Sequence, residues 1–155
     1  MSDKKLALVT GASRGIGRQI ALGLADDGHE VIAVSRSAME TSDLSASQKS
    51  LIINIRGDVS DASFIERLEK QVSKEHGVVQ ILVNAAGVFG PIDLVHNSDP
   101  AQWTQTIVID AIAPYYTAHY FLPAMLKSKW GRIINLSSAA ALHPPGPLNS
   151  AYGTS

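Results

Sequence analysis

Apolar runs of strand length alternate with helix-like periodicity along this chain. Leu6-Ala7-Leu8-Val9 opens a run over residues 6–10 that reads as a buried strand. Residues 15–27 follow as a helix, with Ile16, Ile20 and Leu24 on one face and Gly28 as the stop. Further strands are expected over residues 31–35, 51–55, 79–83 and 132–137. The Ser-rich stretch 37–49 shows no period and reads as a loop with at most a helical turn. Ser60 or Asp61 caps a helix carrying Phe64, Ile65, Leu68 and Val72, and Gly77 ends it. Asp99-Pro100, a capping carboxylate followed by proline at the first helical position, starts a helical pattern that runs to about residue 129 with an interruption near Pro114. Residues 143–149 read as a proline-rich loop, and a new helix begins near Tyr152. Strands that alternate with helices imply parallel β-α-β units with helices on both faces. The expected class is α/β, a doubly wound parallel sheet, in one domain over residues 1–155.

Composition narrows the function. The chain has 155 residues, 45% of them hydrophobic and 17% charged, which suits a globular domain with a real core. The net charge of −1 offers no electrostatic footprint for nucleic acid or anionic lipid. No apolar stretch approaches the roughly 20 residues of a membrane span. Only four apolar residues, Leu6 to Val9, follow the charged N-terminus, too few for a signal sequence. With no cysteine, disulfides and thiolate zinc sites are excluded, which fits a reducing compartment. A soluble, cytoplasmic protein is expected. The five histidines form no H-x-x-x-H pair, so no metal site is expected. Asn135-Leu136-Ser137 has the form of a glycosylation sequon but falls in a strand expected to be buried.

The stretch most informative about chemistry is LALVTGASRGIG, residues 6–17. Gly11 lets the chain turn sharply after the first strand. Gly15 and Gly17 let backbone approach a ligand and let the helix pack on the strand. The helix N-terminus then presents unpaired N–H groups and a partial positive charge to a pyrophosphate. Two rival readings exist. A plain tight turn does not need three glycines. The G-x-S-x-G of Gly11, Ser13 and Gly15 also has the form of a hydrolase nucleophile elbow, but that elbow needs earlier strands to supply an oxyanion hole, and none precedes it here. The layout is that of a Rossmann-type dinucleotide site. An NAD site wants an acid about 20 residues after the glycines. That place holds Ser35 and Arg36, and Arg14 adds a second cation inside the loop. Guanidinium groups pair with a 2′-phosphate, so NADP(H) is the expected cofactor.

Thr10-Gly11-x-x-x-Gly15-Ile16-Gly17 resembles the glycine motif of the short-chain dehydrogenase/reductase family. Similar segments follow in the family's order: Asp58-Val59, Asn84-Ala85-Ala86-Gly87, the run Gly131 to Ser138, and Tyr152 as the first member of Y-x-x-x-K. The resemblance covers essentially the whole chain and points to NADP-preferring members of the 3-oxoacyl-carrier-protein reductase kind. It implies that Gly11, Ser13, Arg14, Gly15, Ile16, Gly17 and Arg36 bind the cofactor's phosphates, that Asp58 and Val59 meet the adenine, and that Asn84, Ala85, Ala86 and Gly87 line the cofactor cleft. It implies Ser138 as the residue orienting a substrate carbonyl and Tyr152 as the proton donor, a phenol whose ordinary pKa is about 10. The implied partners are a small carbonyl or alcohol substrate and further copies of the chain, as a dimer or tetramer.

The pattern departs from the family in three places. The lysine of Y-x-x-x-K would be residue 156, one past Ser155. The sequence therefore reads as the N-terminal part of a reductase, truncated before its last strands, which leaves the fifth strand as a bare sheet edge. Counting seven residues from Trp103, where the family has an asparagine, gives Asp110. Asp110 is a candidate catalytic acceptor in its place. Ser138 and Tyr152 are fourteen positions apart, one more than usual in the family, an excess that the loop Pro144-Pro145-Gly146-Pro147 can absorb. Two functions remain in play: an NADPH-dependent carbonyl reductase, or a non-catalytic NADP-binding protein or inactive fragment. Tyr115, Tyr116, Tyr120, Phe121, Leu122 and Met125 form an aromatic helix face suited to core or subunit interface.

Overall fold

A computed structural model describes residues 4–142 and 146–155. His143, Pro144 and Pro145 of the expected proline-rich loop lie outside the described residues, as do the first three residues.

Five parallel strands form one sheet: β1 (Leu6–Thr10), β2 (Glu30–Ser35), β3 (Ile52–Arg56), β4 (Ile81–Asn84) and β5 (Arg132–Asn135). Their spatial order is β3-β2-β1-β4-β5. The chain builds outward from β1 to β3, then crosses back to lay β4 on the other side of β1. Ala7, Leu8 and Val9 pair with Ile81, Leu82 and Val83, and β1 pairs with β2 from Leu6↔Glu30 to Thr10↔Val34. The C-terminal ends of β1, β4 and β5 therefore share one edge, with Asn84 opposite Asn135.

Side-chain alternation along β1 divides the core. Leu6 and Leu8 join Ile32, Val34, Ile65, Leu68, Val72, Leu82, Phe121 and Met125 on one face. Ala7 and Val9 join Ala21, Ala25, Val31, Ala33 and Val83 on the other. The first face is covered by α3 (Ala62–Glu75) and α5 (Ala113–Ser128), the second by α1 (Gly15–Asp26). The buried stripe of α1 is Gly17, Ala21 and Ala25, not the expected Ile16 face. Small residues let this helix lie close to the sheet. Ile20 and Leu24 flank the contact, and Ile16 stands 67% exposed beside the glycine loop.

Several boundaries differ from expectation, β4 among them, which starts at Ile81 rather than residue 79. The Ser-rich stretch contains a helix, α2 (Ala46–Leu51), which takes Leu51 from the strand expected there. Ser45 and Gln48 form a reciprocal capping box, each satisfying the other's backbone N–H, and that stabilises so short a helix. The long helical pattern divides into α4 (Pro100–Ile107), one π-helical turn (Val108–Ile112) and α5. Pro114 has no N–H to give the carbonyl four residues back, and the turn before it widens. The fifth strand stops at Asn135, two residues early, because its partner β4 ends at Asn84. It is not buried: all four of its residues are exposed, Ile134 to 48%.

The last helix, α6 (Ser150–Thr154), is pinned to the body. The Trp103 indole N–H donates to the Ser150 hydroxyl at 3.1 Å, and the Asp93 N–H donates to the Leu148 carbonyl at 3.0 Å.

Thr10 is 2% exposed, and its hydroxyl oxygen accepts the Ala85 and Ala86 N–H groups, each at 3.1 Å. Thr10→Val keeps the volume and removes the acceptor, so urea unfolding is expected to show a loss of about 1–3 kcal/mol. A change below about 0.5 kcal/mol would mean that this link carries no weight.

Candidate active site

The site lies along the sheet edge where β1, β4 and β5 end. Gly11 leaves β1 with φ +67, and a β-carbon there would fall 2.7 Å from Ala86 Cα. A β-carbon on Gly17 would fall 2.5 Å from the Gly11 carbonyl oxygen. Only glycine allows loop, helix and β4 to meet at these two points. Gly15 differs: φ is +56, and a β-carbon there would meet nothing within 4 Å. The backbone at Gly15 faces open space. The N-cap residue of α1 is Arg14; no side chain caps the helix and no acid stands in its first turn. The first N–H groups of α1 therefore have no side-chain acceptor from their own cap, and Gly15 leaves them approachable. Those two observations fit a bound pyrophosphate.

The rim holds the other expected cofactor residues. Ser13 is half-buried, and Arg14 and Arg36 are exposed. Neither arginine forms an ion pair with a described carboxylate, whereas Arg18 pairs with Asp43 at 2.7 Å. Asp58 Oδ1 accepts both the N–H and the hydroxyl of Ser60, at 2.9 and 2.7 Å. Val59 is buried in the core, so its side chain supports the cleft from beneath. Asn84 is buried as well: its amide donates to Asn135 Oδ1 at 2.8 Å and its carbonyl accepts from the Thr117 hydroxyl at 2.8 Å. It acts as a crosspiece joining β4, β5 and α5. Ala85, Ala86 and Gly87 continue from it, and a β-carbon on Gly87 would lie 3.6 Å from Asp110 Oδ1.

The three expected catalytic residues come from separate elements. Ser138 starts a short 3-10 turn (Ala139–Ala141), and its oxygen accepts the Ala140 N–H at 3.3 Å. Its hydroxyl proton remains available to a ligand. Helix α6 packs against that turn and against α4, which brings Tyr152 to the same region. Asp110 sits in the π-helical turn, where the Ala113 N–H reaches back five residues to the Val108 carbonyl. Its Oδ1 accepts the Val88 N–H at 2.9 Å, and its Oδ2 lies 3.4 Å from the Ser155 hydroxyl. Burial pushes the Asp110 carboxyl above its ordinary range, while the bonds from Val88 and Ser155 draw it partly back.

Two contributors were not legible beforehand. Thr10 stands in the glycine motif, but the bonds of its hydroxyl to the Ala85 and Ala86 amides have no local signal. Phe89 stacks on Tyr152 with centroids 4.8 Å apart and an interplanar angle of 27°. It covers one face of the phenol, and no spacing rule pairs the two residues. Among the described residues, no group of three or more His, Asp or Glu side chains is placed to hold a metal. No helix among them is long and apolar enough to cross a membrane.

Comparison with known proteins places this geometry. The short chain dehydrogenase family model matches residues 5–155. The 3-oxoacyl-acyl-carrier-protein reductase FabG of Escherichia coli is 39% identical over 140 residues, covering 88% of this chain and 55% of the reductase. The short chain dehydrogenase tazN of Aspergillus terreus is 31% identical over 159 residues, covering 97% of this chain and 35% of that protein. The chain thus spans between about a third and three fifths of the curated relatives it matches. A short-chain dehydrogenase from Streptomyces avermitilis superposes with a TM-score of 0.89 at 29% identity, over 99% of this chain and 56% of that one. A metagenomic short-chain oxidoreductase in complex with NADP gives a TM-score of 0.84 at 34% identity, over 97% of this chain and 69% of that one.

Asp110→Asn keeps an acceptor for the Val88 N–H and removes a charge that burial disfavours. The folded-state pKa of Asp110 is raised, so stability is lost as pH rises from the ordinary aspartate value through the raised one, and the loss is complete above it. The variant is expected to melt higher than the parent near about pH 7, with the gain fading below about pH 4, the ordinary aspartate range. A melting curve showing no gain at neutral pH, or a gain independent of pH, would contradict this.

Proposed function

The chain belongs to the short-chain dehydrogenase family, an oxidoreductase family, and from that premise we propose that it acts as an NADPH-dependent carbonyl reductase. The observation that carries this reading is the meeting, on one sheet edge, of the uncapped α1 terminus, the turn at Ser138 and the helix bearing Tyr152. Similarity to 3-oxoacyl-acyl-carrier-protein reductases supports a 3-oxoacyl thioester or a related ketone as substrate.

In this reading NADPH, when bound, supplies the hydride that reaches the carbonyl carbon. The N–H groups around Gly15 and Gly17 hold the pyrophosphate, and Arg14 and Arg36 hold the 2′-phosphate. Asp58 keeps one carboxylate oxygen clear of Ser60 for the adenine edge. Ser138 donates a hydrogen bond from its hydroxyl to the substrate oxygen and orients it, keeping its own proton. Tyr152 gives its phenolic proton to that oxygen as negative charge develops there. Phe89 limits the rotation of the Tyr152 ring. Asp110, held by Val88 and near Ser155, accepts a hydrogen bond from the proton path behind the tyrosine. Cytoplasmic residence and self-association belong to the same reading. The exposed Tyr115, Leu122 and Leu126 on α5 support the second.

A second reading, binding of NADP(H) without turnover, is favoured by Asp110 standing where the resembled family carries asparagine.

Tyr152→Phe is expected to lower NADPH oxidation by a 3-oxoacyl thioester about 10²–10⁴-fold with the NADPH Kd nearly unchanged. Unaltered turnover in the variant would remove Tyr152 from the chemistry. A parent protein that binds NADPH yet reduces no carbonyl would support the second reading. Fluorescence titration should also show tighter binding of NADPH than NADH, and equal affinities would refute the roles given to Arg14 and Arg36.

A further inference from the structure

Three successive carbonyls at the end of β2 are each held by a different neighbour. Val34 accepts the Ala12 N–H at 3.3 Å, from the glycine loop. Ser35 accepts the Gly57 N–H at 3.0 Å, and Arg36 accepts Arg56 Nε–H at 3.3 Å, both from the end of β3. Ser35 and Arg56 are paired in the sheet register, so Arg56 reaches one residue further along β2 than its own partner. A charge that only protected the edge strand β3 would extend into water. Arg56 instead folds over the backbone of Arg36.

This placement leaves guanidinium donors without a carboxylate acceptor among the described residues. A guanidinium has five N–H donors. The Nε–H of Arg56 is engaged, and its two terminal nitrogens form no ion pair with a described carboxylate. Arg36 forms none either, although Arg18 and Arg67 both do. Arg36 and Arg56 thus stand at adjacent strand ends, Arg56 held through its Nε–H and Arg36 exposed, and the loop bearing Arg14 is tied to the same β2 terminus through Ala12. Guanidinium N–H groups without a carboxylate partner are suited to pair with a dianionic phosphate.

We propose that Arg56 is a third guanidinium of the adenosine 2′-phosphate subsite, positioned by its bond to the Arg36 carbonyl, and that it helps set the preference for NADPH over NADH. The inference rests on the cofactor reading above. A solvated arginine without this role would affect both cofactors alike or neither.

The test is a fluorescence titration of the purified protein with NADPH and NADH, with 2′,5′-ADP and AMP as competing fragments. Arg56→Gln is expected to weaken NADPH and 2′,5′-ADP about 10-fold, leaving NADH and AMP within about twofold. Arg56→Lys, which keeps charge but loses the fork, is expected to recover part of the loss. If the parent prefers NADPH and Arg56→Gln retains that preference in full, or weakens both cofactors equally, the role of Arg56 is overturned. If the parent binds both cofactors equally, the cofactor reading itself fails.

Discussion

The Thr10 hydroxyl accepts two amide hydrogens from Ala85 and Ala86, and the Gly11 backbone lies where a side chain would strike Ala86. These contacts join the ends of β1 and β4, the strands between which the chain changes direction across the sheet. Doubly wound sheets bind ligands in the crevice at such a switch point. Here one wall is the glycine loop and the other is the segment after β4. The distance between the walls is set by one buried hydroxyl and one absent β-carbon. Loosening either would displace the α1 terminus relative to Ala85, Ala86 and Gly87.

The rest of the site is hung from that frame by polar bonds. Asn84 ties β4 to β5 and α5, fixing where β5 ends and hence where Ser138 begins its turn. Trp103 ties α4 to α6 and so positions Tyr152. The π-helical turn ahead of Pro114 lets Asp110 reach the Val88 amide. Asp110 is a carboxyl where the family resembled carries an amide, and burial raises its affinity for a proton.

Much of the frame could be read from the order of residues, because the signals are local. Leu6 to Val9, then three glycines at fixed offsets, state strand, turn and helix without reference to anything distant. Asp99-Pro100 states a helix start in two residues. What escaped reading depends on contacts between remote segments. The Gly17-Ala21-Ala25 stripe is buried because α1 presses close to the sheet, whereas hydrophobicity alone favours the Ile16 side. Helix α2 is the exception: it has no apolar period, and its signal is local, the Ser45-x-x-Gln48 spacing of a capping box. The Phe89–Tyr152 stack joins residues whose proximity depends on α6 being anchored by Trp103. The exposed Ile133 and Ile134 of β5 have the composition of a buried strand but stand at the sheet's edge.

The central claim is that the crevice beside Gly15 receives a pyrophosphate, with its adenosine end toward β2 and its nicotinamide end toward Ser138 and Tyr152. Backbone amide shifts recorded during a titration with NADPH test it most directly. The largest changes are expected at residues 11–17, 36, 58–59 and 84–87, with smaller ones at Ser138 and Tyr152. Changes centred instead on the groove of about 310 Å³ lined by Leu122, Leu126, Trp130 and Ile133, or no changes at saturating cofactor, would contradict it.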